Sequence, residues 1–107
     1  MERKVFVVNY SGHDLSAATK FGKLIFLTES REINVFDTDG LLVDLRMKLK
    51  DAEEGDFLLL SGSPVLNILA ASVLLMRYGV LNLLIFNSKS REYVARTVTE
   101  VQLQGIK

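Results

Sequence analysis

Apolar residues fall along this chain in short, nearly unbroken runs separated by glycine turns and polar clusters, the pattern of strands covered on both faces alternating with helices. Lys4 to Asn9 is a β-branched and aromatic run that predicts a buried strand. Asp14 is placed to cap a short helix, Leu15 to Phe21, with Leu15 and Ala18 facing inward and Gly22 as its stop. Lys23 to Thr28 predicts a second strand, reached by a short right-handed crossover. Glu29 to Glu32 reads as a charged turn and Ile33 to Phe36 as a short extended piece. Thr38 or Asp37 then caps a helix over Leu41 to Lys50, where Leu41, Leu42, Leu45 and Leu49 form one stripe opposite Asp44, Arg46, Lys48 and Asp51.

Phe57 to Leu60 predicts the third strand. Ser63 at the N-cap and Pro64 at the first helical position start a helix over Val65 to Tyr78, which Gly79 closes. Leu81 to Phe86 predicts a fourth strand and Asn87 to Arg91 a loop. The Val- and Thr-rich run from Tyr93 to Val101 predicts an antiparallel hairpin partner at the sheet edge, which Arg96 and Glu100 would blunt. The element order implies one domain over residues 1–107, an α/β fold. Its expected form is a small three-layer, Rossmann-like sandwich with the flavodoxin-like strand order 2-1-3-4-5, mostly parallel, with an antiparallel C-terminal edge strand.

That order carries the functional argument. If the first strand pairs with both the second and the third, the sheet changes winding direction between the first and third strands, and a crevice opens at their carboxyl ends. The Ser11-Gly12-His13 and Ser61-Gly62-Ser63 corners would face each other across it. Strand-to-helix corners of this kind present bare N–H groups and the positive end of a helix dipole, which suits phosphate, carboxylate or ribose. The plainer reading is that Ser63 only caps its helix, Gly62 only makes a turn, and Asp14 and His13 are an ordinary cap and an exposed turn residue.

Composition excludes more than it assigns. The 107 residues hold 13 basic and 13 acidic side chains, so no global field draws the protein to duplex nucleic acid or an anionic membrane. Cysteine is absent, which removes disulfides and thiolate catalysis and disfavours structural zinc. No cofactor is implied. The start, Met1-Glu2-Arg3-Lys4, shows no signal segment, so the expected location is the cytoplasm and the Asn9-Tyr10-Ser11 sequon is incidental. The apolar stretch from Val65 to Phe86 is interrupted by Asn67, Arg77, Tyr78, Gly79 and Asn82 and reads as buried helix then strand, not a membrane span.

Ser61-Gly62-Ser63-Pro64 lacks the spacing and lysine of a Walker loop, and no serine sits in a Gly-x-Ser-x-Gly elbow. His13 is the single histidine, so a triad or a histidine metal cage cannot be assembled, although it could act alone as an acid or base. Asp37-Thr38-Asp39-Gly40 starts like a calcium loop, but Leu41 and Leu42 follow where oxygen ligands should. Lys89, Arg91 and Arg96 cluster around the last hairpin, where they either close over an anion or form a solvated basic turn. The helix over 65–78 is apolar nearly all round. It needs a second cover, either the Leu41 to Leu49 helix or a second copy of the chain in a homodimer.

Two resemblances stand on these residues. Val7-Val8-Asn9-Tyr10-Ser11-Gly12-His13-Asp14, Phe21-Gly22, Phe26-Leu27-Thr28-Glu29 and Leu59-Leu60-Ser61-Gly62-Ser63-Pro64-Val65-Leu66-Asn67 resemble small α/β proteins of bacteriophages and prophages. This implies the cytoplasm of an infected host and brings no activity with it. Strand, Ser61-Gly62-Ser63 and a helix containing Ala70-Ala71 are similar to the CRISPR-associated Rossmann-fold sensor domains, although the doubled glycine with threonine typical of those is missing. That likeness implies a dimer that binds a cyclic oligonucleotide, with Ser61, Gly62 and Ser63 at phosphate or ribose and residues 11–13 lining the same cleft. The combined expectation is a small-ligand binding module for a phosphorylated or nucleotide-type molecule, using Ser11, Gly12, His13, Ser61, Gly62 and Ser63. The competing expectation is a phage structural or protein-interaction module that assembles through the helix over 65–78.

Overall fold

Four consecutive buried residues, Val5 to Val8, make the first strand the centre of the molecule. The computed structural model describes residues 2–10, 12–28 and 33–105. Among them are five strands in one sheet: β1 (Lys4–Asn9), β2 (Lys23–Thr28), β3 (Phe57–Leu59), β4 (Val80–Asn87) and β5 (Glu92–Thr99). Their order is β2-β1-β3-β4-β5, with β4 and β5 antiparallel and every other neighbouring pair parallel. The registers Val5↔Phe57, Phe6↔Leu58 and Val7↔Leu59 put the two glycine corners on one rim of adjacent strands.

The pleat sorts the core into two halves. Phe6, Val8, Leu27, Leu58 and Leu81 face α1 (Thr38–Lys48) and α2 (Pro64–Tyr78), meeting Leu45, Leu49, Leu66, Ala70 and Leu74. Val5, Val7, Phe57, Leu59, Leu84 and Tyr93 face the other way, under a 3-10 helix over Ser16–Phe21 that supplies Ala18, with Leu15 just before it. Three layers result, the third thin. Both α-helices lie on one face because the crossovers β2-to-β3 and β3-to-β4 step in the same direction across the sheet, whereas β1-to-β2 steps the opposite way.

The two α-helices are locked to each other by polar contacts at their ends. Arg77 donates to Leu49 O at 2.6 Å and to Arg46 O at 3.1 Å, satisfying carbonyls that end α1, and the Tyr78 hydroxyl donates to Ala52 O. At the amino-terminal rim, Asp56 is the one buried charged residue among those described. Its carboxylate accepts from Lys4 N at 2.9 Å and Glu53 N at 2.8 Å, and the Lys4 ammonium reaches both Asp56 at 3.3 Å and Glu53 at 3.0 Å. Asn82 Nδ2 adds bonds to Glu54 O and Asp56 O, so the starts of β1, β3 and β4 form one polar knot.

Four expectations differ from what is observed. The short helix of the first crossover is a 3-10 helix over Ser16–Phe21 that Asp14 does not cap: Asp14 Oδ1 accepts from Ser16 N, a tight turn two residues on, and the 3-10 rise of about 2.0 Å per residue lets six residues span more of the sheet. Ile33 to Phe36 is a turn, since Asn34 accepts from Phe36 N and Asp37 N. The last strand stops at Thr99, where a reciprocal capping box between Thr99 and Gln102 starts the short α3 (Glu100–Gln104). Glu100 therefore opens α3 instead of guarding the edge, which leaves Arg96 on β5. The α1 helix begins earlier than its leucine stripe, at Thr38, because Asp37 accepts from Gly40 N. The charged turn at 29–32 lies outside the described residues.

Candidate functional site

The carboxyl ends of the central strands open into a cleft of about 530 Å³. His13 and Asp14 enter it from the β1 corner, Leu60, Ser61 and Gly62 from the β3 corner, and Phe86, Arg91 and Tyr93 from the β4–β5 hairpin. The two corners thus share one hollow, as neighbouring parallel strands require.

Each predicted residue has a definite place, apart from Ser11, which lies outside the described residues. Gly12 has φ 87°, and a Cβ there would meet nothing, so its glycine character answers the backbone conformation alone. His13 is exposed on the cleft wall. Ser61 is half-buried on the opposite wall, and its carbonyl accepts from Asn67 Nδ2 at 2.9 Å. Gly62 has φ 77° and sits so close to Asn9 that a Cβ would lie 1.9 Å from Asn9 Oδ1 and 2.9 Å from Asn9 O.

Asn9 explains that crowding. Its side-chain oxygen crosses from the end of β1 to accept from Ser63 N at 2.9 Å, while the Ser63 hydroxyl accepts from Leu66 N and Ser63 O accepts from Asn67 N and Asn67 Nδ2. The Ser63 amide, carbonyl and hydroxyl oxygen are thus engaged in starting α2 and tying it to β1. Asn67 Oδ1 is buried without a protein partner among the described residues. His13, Arg91 and Tyr93 put polar side chains on the lining of the cleft, and Ser61 borders it from the β3 corner.

Arg91 and Tyr93 enter through the hairpin register. Pairing Asn87 with Glu92 puts Phe86 opposite Tyr93, on the face that also carries Leu59 and Leu84. Their rings stand 5.3 Å apart as the aromatic wall of the cleft, Phe86 half-exposed and Tyr93 buried. Burial holds the Tyr93 phenol above its ordinary pKa, and the negative charge of Asp14 adds to the effect, so at neutral pH the phenol keeps its proton and can donate. Asp14 is itself held below the usual carboxylate range by the Ser16 N–H it accepts. The same pleat splits the basic cluster: Arg91 lines the cleft, whereas Lys89 and Arg96 border a shallower hollow with Ile85 and Val94.

The sequence did contain a signal for the aromatic wall. A loop centred on 89–90 fixes which residues of the two strands are opposite, and Phe86 and Tyr93 then meet. Asn9 and Asn67 gave none, because each acts through a partner far along the chain or across a helix turn.

Among the described residues no cluster of three His, Asp or Glu side chains is placed to hold a metal, and no helix is long and apolar enough to cross a membrane. No curated protein and no solved structure matches the chain. A family model described as phage Pam3 gp32-like protein matches residues 3–100, nearly the whole sequence, in agreement with the bacteriophage resemblance and without support for the CRISPR one. The chain belongs to the phage Pam3 gp32-like family.

Proposed function

We propose that this phage protein is a binding module for a small phosphorylated or nucleotide-type ligand, which it holds in the cleft at the ends of β1 and β3 in the host cytoplasm. One observation carries the reading: two corners and a hairpin, distant in sequence, converge on a single hollow of about 530 Å³ with polar side chains on opposite walls. That volume is within the range of about 300–1,000 Å³ usual for small-molecule sites, and it suits one mononucleotide better than a larger cyclic oligonucleotide. His13 and Ser61 give selectivity, Gly62 brings the β3 corner close to the ligand, and Gly12 and Ser63 hold the corners in shape. Ser11, adjoining Gly12, belongs to the same proposed set.

Thermal-shift measurements against nucleoside mono-, di- and triphosphates and cyclic oligonucleotides test this. A bound ligand raises Tm by mass action, and His13→Ala should reduce the response. No shift with any member of the panel overturns the reading.

A second reading rests on α2. Ile68 and Met76 on its outer face are 64% and 86% exposed, and Val43 and Met47 are exposed on α1. These side chains would cover one another in a homodimer or a phage assembly. Light scattering decides: a dimeric mass that falls to the monomer in Met76→Glu supports assembly, and a monomeric wild-type protein refutes the homodimer.

A further inference from the structure

Arg91 is the one residue other than glycine that the described chain holds at positive φ, at 60°. In this region Cβ crowds the carbonyl that follows, and glycine or asparagine is the usual occupant. The loop explains the conformation. Arg91 N returns to Asn87 O at 2.7 Å, and Glu92 then pairs with Asn87 to begin β5. It does not explain an arginine, since glycine would close the same loop with less strain.

The side chain supplies what the loop does not. Arg91 lines the cleft, and among the described residues no carboxylate or carbonyl engages its guanidinium. Two positions after it, Tyr93 is packed against Phe86, a half-exposed residue that lines the same cleft. An unpaired planar cation and a half-open aromatic face therefore border one cavity of mononucleotide size. The other titratable groups facing Arg91 there are His13, Asp14 and Tyr93. Of these Asp14 carries the negative charge, and its Oδ1 accepts from Ser16 N.

We infer that Arg91 reads the anionic end of the ligand and that the Phe86 ring stacks on its planar end, which narrows the ligand class to nucleoside monophosphates and aromatic molecules of the same build. The inference rests on the binding reading above. A guanidinium presents two parallel N–H donors to a phosphate, which a lysine cannot, and a half-exposed ring accepts any planar base on its face. The left-handed backbone aims this arginine from the hairpin, and the chain accepts the strain at the cleft rim.

The test is titration calorimetry of the full chain with AMP, GMP, CMP and UMP. The expected result is binding of at least one monophosphate by the wild-type protein. In Arg91→Gly, Tm should be unchanged or higher while that affinity falls by about tenfold or more, the loss of one charge-assisted contact. Arg91→Asn, which also tolerates the left-handed conformation, should repeat the result and guards against a folding defect in the glycine variant. Phe86→Ala should weaken the same monophosphate. Undiminished affinity in both Arg91 variants overturns the anion assignment alone, and undiminished affinity in Phe86→Ala overturns the stacking assignment alone. Failure of the wild-type protein to bind any of the four overturns the inference together with the reading beneath it.

Discussion

Gly62→Ala should destabilise the ligand-free protein, and the cause should be Asn9. An added Cβ would lie 1.9 Å from Asn9 Oδ1, so the asparagine must swing away, and 2.9 Å from Asn9 O, which the backbone must relieve. A non-glycine residue at φ 77° adds about 1–2 kcal/mol of strain. Losing the 2.9 Å bond from Ser63 N to Asn9 Oδ1 adds about 1 kcal/mol or somewhat more, because that N–H is part-buried. The total is about 2–4 kcal/mol, which in urea unfolding lowers the midpoint by roughly 1–2 M at an ordinary slope for this size. The decisive measurement is the double-mutant cycle with Asn9→Ala. Once the asparagine oxygen is gone, Gly62→Ala should cost about 1 kcal/mol less than it does in the wild type, a coupling well outside the scatter of independent sites. Additive effects, or a Gly62→Ala cost below about 0.5 kcal/mol, would refute the claim that Asn9 dictates this glycine.

Other outcomes follow from the same contacts. Asp56→Ala should cost about 2–4 kcal/mol in urea unfolding, because two N–H donors, Lys4 N and Glu53 N, lose their acceptor, and Asp56→Asn should cost less by keeping one. Arg77→Met should cost about 1 kcal/mol and speed amide exchange at the end of α1 more than in β1, since its guanidinium serves two carbonyls there. On the alkaline side stability should fall. The Lys4 pKa is raised above 10.5 chiefly by its hydrogen bond to Glu53, and that of Tyr93 above 10.0 chiefly by burial, so the folded state binds protons more tightly than the unfolded one. Their contribution is whole below about pH 10 and lost as pH rises through the folded values. A denaturation midpoint flat from pH 9 to 11.5 would contradict this.

Much of the fold was legible because its signals are local. The runs Val5 to Val8 and Phe57 to Leu59 are buried on both faces, and Ser63-Pro64 and Gly79 mark the ends of α2 by backbone chemistry that needs no tertiary partner. Where competing local signals were weak the sequence misled. Asp14 closed a tight turn instead of capping the short helix after it, and Thr99 to Gln102, a capping box hidden in a Val-rich run, ended a strand that composition alone would have continued. The candidate site was legible only in part. His13, Ser61 and Gly62 stand at the cleft, yet the Ser63 amide and hydroxyl, which look available in a one-dimensional motif, are engaged by Asn9 and Leu66.

The sequence alone determined the main strands and helices, their order and the two glycine corners, since apolar period, caps and turns act over a few residues. Only the tertiary structure decided who occupies the rim: that Asn9 fills the space beside Gly62, that Arg91 turns toward the cleft while Lys89 and Arg96 border another hollow, and that Phe86 and Tyr93 build its wall. The reason is geometric. A strand's pleat assigns each side chain to a face only once its register with a neighbour is fixed, and that register is set by contacts between residues far apart along the chain.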